Sequence, residues 1–233
     1  MAVLDLDSAD EQIVSFGQDA TFSTASIIKV GILAALLLRA QDEGREVTAA
    51  ERQHAEAMIR NSDNEATAVL WRAIGEAEGL DAAHERLGLS STHGGPDIRW
   101  GLTQTTATDQ VKLLRGVFSR GPVVARPPEG LSQASCAYIR HLMGQIAQGQ
   151  DWGISAAGSH GSRWALKNGW LQRSTTNLWV INSVGQVTVH GHRYLVSVLS
   201  GGNASMEGGI SLVERAARAA IGAASAHARP WPQ

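Results

Sequence analysis

Residues 25–38 run Ala25-Ser26-Ile27-Ile28-Lys29-Val30-Gly31-Ile32-Leu33-Ala34-Ala35-Leu36-Leu37-Leu38, and this stretch decides the fold. Ser23 or Thr24 suits the cap of a helix that starts near Ala25 and runs to about Gln41. Its apolar side chains fall on nearly every side. A helix without a polar face belongs in the middle of a protein. The apolar run 27–38 is too short to cross a bilayer, and Lys29 interrupts it.

Outward from this helix, 2–7 and 12–17 read as short strands, with turn chemistry at 7–10. Helices are predicted over 49–59, 64–75 and 80–87, a Gly-, Pro- and Ser-containing loop over 88–103, and a helix over 105–119 capped by Thr106 or Thr108. A proline-rich connection at 121–130 leads to a helix over 132–148, on which Cys136 reads as a small core residue. Strands return at 164–170, 177–184 and 193–200, with 183–186 read as a turn. A helix over 207–224 and a loose tail at 229–233 close the chain. Strands at both ends with helices between them predict an α/β (α+β) fold. Its antiparallel sheet comes from both chain ends, is flanked by helices and carries an inserted all-helical subdomain. The expected division is 1–40 plus 160–233 for the sheet part and 41–159 for the helical part, with any site in the groove between.

Composition excludes several classes. A chain of 233 residues with 43% apolar and 18% charged residues can bury a core and is not disordered. A net charge of -2 without a basic run argues against nucleic acid as a partner. One cysteine rules out an internal disulfide and a cysteine-built zinc site. Met1 leads directly into strand-like sequence, so the expectation is a soluble, cytoplasmic protein without a signal peptide or membrane segment, exported if this is a trimmed mature chain.

The basic residues comprise three lysines (Lys29, Lys112, Lys167) and seventeen arginines. The bland reading of the bias toward arginine is codon usage, which does not explain where the lysines sit. Only lysine can lose its proton when buried. Ser26 and Lys29 are three apart and share a helix face. Burial and the positive end of the helix dipole both favour a neutral Lys29 amine, which can take the serine proton and make Ser26 a nucleophile. The structural alternative is a lysine that snorkels to the surface beside a serine near a cap. Ser62-Asp63-Asn64 reads first as a capping box, Ser62 with Glu65. That role leaves Asn64 unexplained, and a side-chain amide there can bind a substrate carbonyl. Lys167-Asn168-Gly169-Trp170 places a lysine inside an apolar strand, with a glycine that admits a close neighbour. An edge-strand lysine that deters aggregation is the alternative. His190 and His192 lie two apart with no third ligand in sight, so no metal is expected. His93, Trp100 and Trp152 are assigned to core or loop packing ahead of the groove.

The three motifs, in this order and over nearly the whole chain, resemble the penicillin-recognising serine enzymes, above all the class A β-lactamase-like proteins. Thr105-Thr106-Ala107-Thr108 is similar to the threonine-rich helix start that follows the family's active-site loop. The resemblance implies Ser26 as the acylated nucleophile, Lys29 as its base, Ser62 as the proton relay and Lys167 as the group that holds a substrate carboxylate and tunes Ser62. It also implies Asn64 as the holder of the substrate amide and the backbone N–H groups of Ser26 and Trp170 as the oxyanion hole. Asn168 and Gly169 complete the substrate-binding strand, and Arg173 offers either a second cation to an anionic substrate or a surface charge. No metal or organic cofactor is implied. The substrate is a small molecule or a peptide.

The chain departs from the family in three places. The stretch 88–104 has no glutamate, and Asp97 is its one acid, so hydrolysis of an acyl-enzyme is expected to be slow. Asn168 stands where the family has a hydroxyl, and Trp170 where it has a small residue. The stretch between Ser26 and Ser62 is short, and no helix precedes the first strand. The expected function is serine acyl transfer or hydrolysis on an amide, lactam or ester. The alternatives are a non-catalytic binding protein on the same fold and a biosynthetic transacylase or esterase.

Overall fold

The stretch after Thr24 opens with a single 3-10 turn, Ala25–Ile27, and continues as α1 (Ile28–Asp42), of which all but three residues are buried. The computed structural model describes residues 1–8, 11–17, 20–119, 130–159 and 161–227. The turn at 7–10 and the connection at 121–130 fall partly outside these residues, and the tail at 229–233 wholly. Before α1 come β1 (Ala2–Asp5), β2 (Val14–Ser15) and β3 (Phe22–Ser23). After it come α2 (Ala49–Arg60), α3 (Asn64–Ala73), α4 (Glu76–Arg86), β4 (Gln104–Thr105), α5 (Ala107–Phe118) and α6 (Gln133–Met143). The chain ends with β5 (Trp164–Gln172), β6 (Trp179–Val189), β7 (His192–Asn203) and α7 (Met206–His227).

Among the described residues the main sheet is antiparallel and ordered β2-β1-β7-β6-β5, so strands from both chain ends share it. The fold is a mixed helix and antiparallel-sheet architecture, as the alternation of segments predicts. One face packs on α7 and on a short 3-10 segment, Gly153–Ala157, through Val3, Leu166, Ile181, Val196, Val213 and Ala217. The other face joins α1 to α6 in one apolar cluster that includes Leu4, Ile32, Leu36, Trp71, Val111, Ile139 and Leu195. Period-2 alternation therefore assigns β5 cleanly. Ala165, Lys167 and Gly169 face the helices, and Leu166, Asn168 and Trp170 face α7.

Several local expectations are corrected. Residues 183–186 are not a turn but the middle of β6, and the chain reverses at His190 and Gly191, both at positive φ (50° and 86°). Gly185 is there because a side chain would run into Ala165 O and Leu166 of β5, not because the chain bends. His190 thus lies in the hairpin turn, while His192 opens β7 with its Nδ1 3.1 Å from Asp5 Oδ2. The helix expected over 132–148 stops at Met143, with Gly144 at its C-cap. The helix cap at Ser62 is also corrected. Asp63 is the N-cap of α3, its carboxylate accepting from Ala66 N at 2.7 Å, while Ser62 sits at φ 57° just outside the helix. The hydroxyl of Ser62 is therefore not consumed by capping.

Candidate active site

Three segments converge where β5 forms the edge of the sheet. Gly169 makes the approach possible: a Cβ on it would lie 2.8 Å from each of Ser26 N, Ile27 N and Thr24 O. The backbone of the Ser26 turn therefore rests directly on β5. Asn182 of β6 donates to Ser23 O and Thr24 O at 2.9 and 3.0 Å and ties the same turn to the sheet. The third segment, Ser62 to Asn64, is brought in by the start of α3.

Lys29 is the hub. Its Nζ lies 3.0 Å from Ser26 Oγ, 3.0 Å from Ser62 Oγ, 2.7 Å from Ser62 O and 2.9 Å from Asn64 Oδ1. The residue is 0% exposed, so it does not snorkel. Burial pulls its pKa down to about 7, against a smaller upward pull from Asp63. Two of the four neighbours, Ser62 O and Asn64 Oδ1, can only accept. They take the two hydrogens of a neutral amine and leave its one lone pair for a single hydroxyl proton, that of Ser26 or that of Ser62.

Lys167 of β5 reaches the same place from the other side. Its Nζ donates to Ser62 Oγ at 3.1 Å and to Asn168 O at 3.0 Å, and the residue is 1% exposed. Burial holds its pKa well below the usual lysine value, with the neighbouring Lys29 acting in the same sense. Ser62 Oγ thus has an amine on either side.

Ser26, Lys29, Ser62, Asn64, Lys167 and Gly169 are thus brought together. The side chains of Asn168 and Trp170 are not. Asn168, expected at the substrate, is 1% exposed on the α7 face, where its amide donates to Gln150 O and Trp152 O, both at 2.8 Å. Trp170 packs its ring against Trp152 at 6.0 Å on that same face, which leaves only its backbone to the groove. Arg173 follows β5 and donates to Ser23 Oγ at 2.6 Å, at the foot of the Ser26 turn. Asn168→Ala is expected to free the 150–152 segment and lower stability by about 1–3 kcal/mol, the typical cost of stranding buried carbonyls. An unchanged urea unfolding midpoint would show that the amide holds nothing.

Sequence reasoning misplaced one residue that belongs here. Trp100, assigned to packing, lies with its ring 4.8 Å from Lys29 Nζ. It starts the 3-10 turn Trp100–Leu102 within the 88–104 loop. Asp97 of that loop turns away, 78% exposed and paired with Arg99 at 3.1 Å.

A serine and a buried lysine one turn apart, a second serine and a strand lysine, all at the seam of a sheet and a helical cluster, define a β-lactamase-like protein. The comparison with known proteins agrees. The chain belongs to the Beta-lactamase enzyme family, whose model matches residues 44–228, a span that contains Ser62, Asn64 and Lys167. Family and fold together support a serine hydrolase-type enzyme. LppW of Mycobacterium tuberculosis, named as a lipoprotein, is 34% identical over 113 residues, which is 48% of this chain and 36% of that one. The match thus spans about a third of that relative's length. The TLA-1 extended spectrum β-lactamase superposes with a TM-score of 0.77 at 16% identity, over 94% of this chain and 91% of the other. PBP-A gives 0.76 at 23% identity over 97% and 89%. The class A β-lactamase of Mycobacterium abscessus gives 0.75 at 20% identity over 96% and 92%. At these identities the solved structures show the fold. Among the described residues, no helix is long and apolar enough to cross a membrane.

Proposed function

We propose that this protein is a serine acyl-transfer hydrolase that acts on an amide, lactam or ester through an acyl-enzyme at Ser26. One observation supports it above all others: a lysine amine sealed from water lies 3.0 Å from the Ser26 hydroxyl. The neutral amine takes the Ser26 proton as Oγ attacks the substrate carbonyl. Ser62 then carries that proton from Lys29 to the leaving atom. Asn64 is exposed and its Oδ1 accepts from Lys29 Nζ, which leaves its amide N–H groups for a substrate carbonyl. The backbone N–H groups of Ser26 and Trp170 serve the developing oxyanion, where each donor is typically worth ~3 kcal/mol. The chemistry calls on no metal and no organic cofactor.

Mass spectrometry after mixing with a penicillin and, separately, with an activated neutral ester tests the proposal. A mass increase that maps to Ser26 and persists for minutes is the expected result. Turnover of either reagent without any adduct on Ser26 would contradict slow deacylation. No adduct and no turnover would favour a ligand-binding protein on the same fold, a reading that the inward turn of Asn168 makes worth testing.

A further inference from the structure

The loop that carries Trp100 is anchored at four points. His93 and Gln104 exchange backbone hydrogen bonds at 2.9 and 3.0 Å and close its ends. Gly95 N donates to Thr103 Oγ1 at 3.0 Å across it. Trp71 Nε1 donates to Asp97 O at 2.9 Å and pins it to α3. Thr24 N donates to Thr103 O at 2.9 Å and joins its exit to the segment that presents Ser26. Gly101 follows Trp100, and a Cβ on it would lie 3.7 Å from Ala25 Cα, so the two 3-10 turns pack backbone to backbone. The indole is therefore held over Lys29 by a braced loop, and Trp100 remains partly exposed.

This placement matters for the second half of the reaction. Once Ser26 is acylated and the first leaving group has taken its proton through Ser62, Lys29 is again a neutral amine. Any acceptor must approach the ester carbonyl beside that amine. Beside Lys29 this loop supplies an aromatic face, while its one acid, Asp97, pairs with Arg99 and is largely exposed. An indole attracts apolar or planar groups and the ammonium that Lys29 becomes when it accepts a proton.

Resting on the acyl-enzyme reading above, we propose that Trp100 is a specificity-determining residue that directs the acyl group to a primary amine or alcohol with an apolar or aromatic body, in preference to water. The acceptor nitrogen or oxygen attacks the Ser26 ester and forms a C–N or C–O bond while the C–Oγ bond breaks. The acceptor's proton passes to Lys29 and from there to Ser26 Oγ, which restores both groups.

The test uses the whole chain acylated on Ser26 by a neutral nitrophenyl ester and then exposed to benzylamine or to ethanolamine. The adduct's lifetime is followed by mass spectrometry and the amide-to-acid ratio by chromatography. Benzylamine is expected to shorten the lifetime saturably and to give an amide-to-acid ratio about tenfold above that of ethanolamine, the scale on which an apolar contact discriminates. Trp100→Ala should erase that tenfold preference, and Trp100→Phe should keep most of it. A product ratio is independent of how much protein is folded, so a purely structural role for Trp100 would not move it. A preference unchanged in Trp100→Ala, or acid as the sole product of the wild-type adduct, overturns the proposal and leaves the acyl-enzyme intact. Failure to form any Ser26 adduct overturns the acyl-enzyme itself and this inference with it.

Discussion

Lys29→Ala is expected to slow acylation of Ser26 by about a thousandfold, within the range usual for loss of a general base. The amine lies 3.0 Å from the Ser26 hydroxyl, and among the described residues no other titratable side chain is hydrogen-bonded to Ser26 Oγ. Alanine there also strips the hydrogen bonds that Ser62 O and Asn64 Oδ1 receive, so the relay loses its geometry together with its base. Lys29→Arg separates the two effects. Guanidinium can donate to the same oxygens, but it stays charged and cannot take a proton. Labelling in Lys29→Arg should therefore stay near the alanine level. Restoration of the wild-type rate by arginine would mean that position 29 acts as a positive charge.

Gly169→Ala is expected to be nearly as damaging, although the side chain it alters has no chemistry. The added methyl would sit 2.8 Å from three backbone atoms of the Ser26 segment, and backbone cannot rotate out of the way as a side chain can. β5 is held in register against β6 from Trp164 to Gln172, so the Ser26 turn has to give. Overpacking of this kind typically costs ~1–3 kcal/mol. A shift of about 1 Å in a reacting group costs on the order of a hundredfold in rate. Gly169→Ala should thus unfold at lower denaturant and label Ser26 about a hundredfold more slowly. Wild-type labelling in a folded Gly169→Ala chain would show that the segment does not rest on β5 as described.

Much of this was legible in the sequence because it depended on short-range rules. A helix with no polar face had to be central, and a serine three residues before its single buried lysine had to share a face with it. Strand alternation also separates Lys167 and Gly169 from Asn168 and Trp170. The same alternation puts the Asn168 amide on the far side of the sheet. What escaped depended on neighbours distant in sequence. Gly185 looks like a turn residue until Ala165 and Leu166 are placed beside it. Ser62 looks like a cap until its backbone adopts positive φ and Asp63 takes over. Trp100 sits in a loop without periodicity, and only the folding of that loop onto the Ser26 turn brings its ring over Lys29.

The pH dependence of Ser26 acylation, followed before the first turnover with a neutral ester, probes the lysine directly. Burial lowers the Lys29 pKa to about 7, so the amine is protonated and idle below that pH and free to accept a proton above it. The acylation rate should rise with pH, bend near 7 and level off beyond. A rate that ignores pH across this range, or keeps climbing toward the ordinary lysine value, would contradict a neutral Lys29 as the base that activates Ser26.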